Sequence, residues 1–286
     1  MGRVAEWLSR RKRFEPEGHV VAGRLAEFRL LKLTRAVSGK ARVLEGIRIP
    51  DPDEGGRREI DMVVATKDEI LFVEQKHWSG SFVIQEDGRF FQTRNNGGTL
   101  LHKDIISWTA RKGDLFCKSH EKRCGSPAPP SRVVLVFSNS NLSWSPLPED
   151  APAEAYDEMG FINMIESMKK ESPSGELQTT LDGFGTWDTI HLNGGKTIHG
   201  DILDLGFERV GSAIINVKHK AGLLSLFTGV KTIIRGELAG VVSDNDLQIT
   251  DQSGVLASIV GEDGSRTIPW ANIEKIELSN TKAEWG

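Results

Sequence analysis

Residues 58–80 read REIDMVVATKDEILFVEQKHWSG, two apolar runs on either side of a charged turn. The runs at 58–66 and 70–77 are short and rich in β-branched residues, and Lys67–Asp68 supplies a turn between them, so the stretch predicts a β-hairpin. Ile70 to Val73 is continuously apolar, as suits a strand buried on both faces. Side chains alternate along a strand, which puts Glu74 and Lys76 on one face, about 7 Å apart, and turns Gln75 the other way. Twelve residues lie between Asp61 and Glu74, and a hairpin of that length can bring the two acids side by side. Two carboxylates and one ammonium would then meet at the end of a buried strand.

Chance alone gives about five acid-x-base triplets in a chain of this composition, so Glu74-Gln75-Lys76 gains its meaning from its place. Charged side chains that directly follow a buried run need a partner or a metal, because an unpaired buried charge is costly. Hard carboxylate oxygens suit Mg²⁺ or Mn²⁺, and Mg²⁺ keeps several waters and takes substrate phosphate oxygens as further ligands. A neighbouring lysine can orient water and offset charge that builds on phosphorus. The set fits hydrolysis of a phosphodiester. The plain alternative is a structural Glu74–Lys76 ion pair in a module that binds nucleic acid or protein without cutting it. A third reading is a nuclease active only within a larger complex.

Outward from this hairpin, residues 18–37 predict a helix with Val21, Leu25, Phe28, Leu31 and Leu33 on its apolar side. Val43 to Ile49 predicts a strand, and 82–84 with 89–93 a second hairpin. A helix is expected from about Leu100 to Phe116, a β-branched strand at 132–137, a loop over 143–154 and a helix near 157–170. The combination of the 58–80 stretch with the upstream helix resembles the nuclease-related domain (NERD), a branch of the PD-(D/E)XK restriction-endonuclease-like superfamily. Gly23 and Ala26-Glu27 stand where that family carries a glycine followed by a glutamate, and Ser79-Gly80 fits its turn. The resemblance covers about residues 15–170. It implies an α/β core with a mixed central sheet flanked by helices. It also implies Asp61 and Glu74 as metal ligands, Gln75 as a backbone-carbonyl ligand, Glu27 as an auxiliary acid acting through water, and Lys76 as the catalytic lysine. The family's glutamine on the helix after the third hairpin is replaced here by a region reading NNGGTLLHKDIISW, with His102 and Asp104.

Charge divides the chain. Residues 1–124 hold 24 Lys/Arg against 18 Asp/Glu, a net of +6, and the remainder carries −10. The basic part favours a polyanion; with the nuclease resemblance the expected partner is nucleic acid, DNA in preference to RNA, with Arg24, Lys112 and Arg11 as expected contacts. The RRKR run at 10–13 reads first as a solvated face. Cys117, His120 and Cys124 have a zinc-like look, but structural zinc sites offer two well-formed ligand pairs, so free thiols are expected. With two cysteines, no apolar run of about 20 residues and no secretory signal, a cytoplasmic protein that does not enter membranes is expected.

From about Thr186 short apolar runs recur between Gly, Asn and Asp turns, which predicts a small all-β, barrel-like domain. Residues 186–205 weakly resemble an SH3-like or Sm-like barrel. Its acidity favours a protein partner or a homo-oligomer over DNA. The boundaries expected are 1–175 for the nuclease-related domain and 184–286 for the β-rich one.

Overall fold

The computed structural model describes residues 3–148, 150–206, 213–220, 231–238, 241–243 and 254–279. The chain divides into two compact units, residues 18–184 and a second made of residues 1–17 with 185–283. The expected LQIT run (247–250) and the apolar stretch 221–230 lie outside the described residues.

The first unit is built on a five-stranded sheet ordered β1 (Arg42–Pro50), β2 (Arg57–Ala65), β3 (Ile70–Lys76), β7 (Ser131–Phe137) and β9 (Ala153–Asp157). The β1–β2–β3 ladders are antiparallel, while β3–β7 and β7–β9 are parallel, so the sheet is mixed as expected. Helices cover both faces. Leu30 and Leu31 of α2 (Gly18–Val37) and Phe161, Ile162 and Ile165 of α4 (Glu158–Ser167) pack with Leu71, Val73, Val134 and Val136. Leu115 and Phe116 of α3 (Ile105–Cys124) and Leu177 and Leu181 of α5 (Gly175–Gly183) pack with Ile60, Val63, Ile70 and Phe72 on the other face. β3 therefore runs between two apolar layers, which explains its unbroken hydrophobic run.

A four-stranded sheet, β6 (Thr99–His102), β5 (Phe90–Thr93), β4 (Gly80–Ile84) and β8 (Leu142–Trp144), adds an aromatic cluster of Phe82, Phe90, Phe137, Trp78 and Trp144. Four expectations change here. Residues 99–102 form a strand instead of opening the helix, because the Asp104 carboxylate accepts the Ser107 N–H at 2.9 Å and caps α3. That helix runs on to Cys124, where Gly125 at φ 69° returns its N–H to the Glu121 carbonyl. The expected loop at 143–154 contributes to β8 and β9, whose parallel partners β4 and β7 supply the ladders. In α2, Ala26, Leu30, Leu31 and Thr34 are buried, whereas Val21, Leu25 and Phe28 are exposed, since the helix meets the sheet along its second half.

The second unit is an all-antiparallel sheet of eight described strands, in the order β14 (Val241–Ser243), β13 (Lys231–Leu238), β12 (Ala213–Lys220), β17 (Ile273–Glu277), β10 (Asp188–Leu192), β11 (Thr197–Asp204), β15 (Gly254–Ile259) and β16 (Ser265–Pro269). The first seventeen residues, placed by the sequence boundaries with the nuclease-related part, belong to this unit instead. Phe14 packs on its core, donates its N–H to the Asn193 carbonyl at 2.6 Å and accepts the Lys196 N–H at 2.9 Å. The stretch 175–183, expected near a boundary, is the α5 helix of the first unit.

Candidate metal and phosphodiester site

At the end of β3 the strand leaves β2 while remaining paired with β7 through Lys76. The β2–β3 ladder holds through Met62↔Val73. One residue further, the Asp61 carboxylate accepts the Gln75 backbone N–H at 2.9 Å, doing with a side chain what a ladder bond would have done. This fixes Asp61 beside β3 and leaves Glu74 and Lys76 directed at it. Lys76 Nζ lies 2.6 Å from Glu74 Oε1 and 4.0 Å from Asp61 Oδ2. From α3, Lys112 Nζ reaches Glu74 Oε2 at 2.6 Å, and the Thr109 hydroxyl stands 3.3 Å from the same oxygen. Glu74 is buried, while Asp61 and Lys76 keep 27% and 26% of their side-chain surface open.

The electrostatics follow from burial and crowding. Burial, then the nearby Glu74 charge, pushes the Asp61 carboxyl up to about 7 against the pull of Lys76 and Lys112. Burial acts the same way on Glu74, but its two ammonium partners outweigh it and hold that carboxyl below its ordinary value. Lys76 is raised because Glu74 and Asp61 more than offset its desolvation. Glu27 on α2 joins the same field. Its residue surface is open, yet close packing around the carboxyl, followed by the Glu59 charge, raises it, and Lys76 and Arg24 act in the opposite direction.

Asp61, Glu74, Lys76 and Glu27 are thus brought into one electrostatic neighbourhood. The Gln75 backbone is anchored there by its bond to Asp61, and its side-chain nitrogen is buried without a hydrogen-bond partner. One expected nucleic-acid contact is lost. Lys112 is buried in the ion pair with Glu74 and is closed to a nucleic-acid backbone, because α3 turns it toward β3. Arg11 belongs to the other unit, where its guanidinium lies 4.0 Å over the Trp7 ring. Arg24 remains half-exposed on α2 near Glu27. Residues 22–136 match the model of the nuclease-related domain family. The nuclease-related segment thus contains every side chain of the cluster. No curated protein and no solved structure matched the chain.

The donor set matches a hard divalent cation in kind, two carboxylates with one of them open to solvent. It does not form a closed cage: among the described residues no three His, Cys, Asp or Glu side chains come together around a point. Such a sparse set suits a cation that keeps waters and takes ligands from a phosphate. The Cys117–His120–Cys124 motif is not assembled as a metal site. His120 is 2.8 Å from the Thr180 hydroxyl, Cys117 packs against the core, and both thiols are free. Asp104 is a helix cap, and His102 stacks on Trp78 with ring centroids 4.1 Å apart. Among the described residues no helix is long and apolar enough to cross a membrane.

Proposed function

We propose that the unit at 18–184 is a nuclease dependent on Mg²⁺ or Mn²⁺ that hydrolyses phosphodiester bonds, with DNA as its substrate. One observation carries the reading: Asp61, Glu74 and Lys76 converge where β2 and β3 part, beside Glu27, within the nuclease-related segment. Asp61 and Glu74 would hold the cation, and the Gln75 carbonyl would add to them. When bound, the cation supplies Lewis-acid polarisation of the phosphate and a more acidic water. Lys76, partly open and tethered only at its ammonium, is placed to meet a phosphate oxygen or to orient the attacking water. Glu27, close enough to Lys76 to feel its charge, would serve as the auxiliary acid that reaches the cation through water. Arg24, half-exposed on α2 near Glu27, would contact the polyanion.

The test is conversion of supercoiled plasmid to nicked or linear product with Mg²⁺ or Mn²⁺. Asp61→Asn and Lys76→Met should each reduce the rate by about 100-fold or more while leaving the fold intact. Full activity in both variants would remove the site from the reaction. A second reading, a binding module that keeps the fold without cutting, is favoured by the occupation of both Glu74 oxygens by ammonium groups. It predicts salt-dependent DNA binding with no metal-dependent product.

A further inference from the structure

The side of α2 turned away from the sheet is both apolar and basic. Leu25 and Phe28 keep 64% and 63% of their surface open, and Val21 keeps 36%. Arg24, Phe28 and Lys32 follow one another at four-residue intervals, with Arg35 a turn beyond, so the four lie along one side of the helix. Lys32 and Arg35 are exposed, and Arg24 is half-buried. Over its length α2 holds four Lys/Arg against a single acid, Glu27, and of the four Arg29 is engaged by Glu158. Glu27 precedes Phe28 directly and is the acid already placed beside the candidate site, where Arg24 and Lys76 both act on its carboxyl. Arg24 and Arg35 also act on Glu45 of β1. The stripe therefore leads up to the site along one flank.

An open apolar patch marks a surface that a ligand or partner covers. Here the open ring has a cation one turn away on either side, which is how surfaces for unpaired strands are built: cations follow the phosphates while an aromatic face takes a base. In a duplex the base faces are hidden in the stack, so only an unpaired strand can offer one to Phe28. An apolar protein partner gives no reason for four cations against one acid, and a lipid surface gives none for the stripe's continuity with Glu27. We propose that the Arg24–Phe28–Lys32–Arg35 stripe of α2 binds an unpaired DNA strand, with a base stacked on Phe28, so that the site acts on single-stranded DNA or on the single-stranded part of a longer substrate. The inference rests on the nuclease reading above and names its substrate class.

The test is fluorescence anisotropy of the full chain with labelled phosphorothioate DNA, which resists cleavage, in the presence of Ca²⁺. One probe is an oligothymidylate, whose bases do not pair with one another, and the other is a hairpin duplex of the same length. The strand should bind at least as tightly as the duplex. Phe28→Ala should weaken strand binding by about 5- to 150-fold and leave duplex binding within two-fold, while Phe28→Trp should keep the strand affinity. Lys32→Gln should flatten the salt dependence of strand binding by about 0.7 in log–log slope. Val83→Ala, which trims an equally open apolar side chain (61%) on β4, should change neither affinity. Unchanged strand affinity in Phe28→Ala, equal losses for strand and duplex, an equal loss in Val83→Ala, or a parent chain that binds neither probe would each overturn the inference. So would a dimer, or binding to phosphatidylserine vesicles, that Phe28→Ala abolishes while strand affinity stays the same, since the face would then serve that contact. Plasmid nicking that requires Asp61, together with an unaffected Phe28→Ala, sinks this inference alone. Strand binding that requires Phe28, in a chain that cuts nothing, sinks the nuclease reading and leaves the strand surface.

Discussion

Gly113→Ala is a local test of how α3 and β3 are held together. On a free helix the exchange would help, since alanine exceeds glycine by about 1 kcal/mol in helix propensity. At this position the added methyl would lie 2.5 Å from Cδ2, 2.7 Å from Cε2 and 3.3 Å from Cγ of Phe72. Phe72 has no room to retreat, being buried and in an edge-on contact with Phe116 at 5.4 Å. Overpacking of this sort costs about 1–3 kcal/mol, and so severe an overlap belongs at the upper end. Set against the propensity gain, the net is a loss of about 1–2 kcal/mol, which for a unit of this size lowers Tm by roughly 2–8 °C. Relief requires α3 to back away from β3, and Lys112 would move with it. Thermal unfolding by circular dichroism and the plasmid assay should both register the change. A variant more stable than the parent, with undiminished nicking, would refute the claim that close helix–sheet approach sets the Lys112–Glu74 contact.

Other consequences can be checked separately. Asp51 is buried, and the N–H of Glu54 with the Arg111 and Arg58 guanidinia outweighs its desolvation, holding its carboxyl down to about 2. Because its folded pKa is depressed, its stabilisation is complete above the ordinary value of about 3.9 and is lost as pH falls through about 2. Urea unfolding should therefore weaken more steeply over that window in the parent than in Asp51→Asn; parallel curves would count against it. In the second unit a Cβ on Gly200 would meet the Ser258 carbonyl oxygen at 2.1 Å, so Gly200→Ala should cost about 2–3 kcal/mol and strip hydrogen-exchange protection from the β11–β15 ladder. Phe14→Ala should lower the stability of that same unit by about 1–3 kcal/mol, read by differential scanning calorimetry, with no change meaning that residues 1–17 do not contribute to its core.

Much of the nuclease-related core was legible from one hairpin. Strand alternation puts Glu74 and Lys76 on one face, and the apolar Ile70–Val73 run marks β3 as central, because both features depend only on the two-residue period and on burial. Lys112 was legible in part. It lies on the Ile105, Thr109, Lys112, Phe116 stripe of α3, whose helical spacing is plain once Asp104 is read as the cap. A helix begun at Leu100 loses that cue, and the overall basic charge suggested a surface lysine instead. The apolar residues at the start of α2 were misleading for a different reason: amphipathic spacing says which residues share a face, not which turns of the helix meet the sheet.

What the chain order alone determined was local: the strand periods, the turn at Lys67–Asp68, and the presence of two acids and a lysine at strand-end positions. Tertiary structure decided which charges meet. Glu74 and Lys112 are brought to 2.6 Å although 38 residues separate them, because packing of α3 on β3 places a buried ammonium against a buried carboxylate. The same holds for residues 1–17, whose place in the second unit depends on backbone bonds from Phe14 to a turn nearly 180 residues away. Such pairings depend on how layers pack and which buried charges must be compensated, and neither quantity has a period along the sequence.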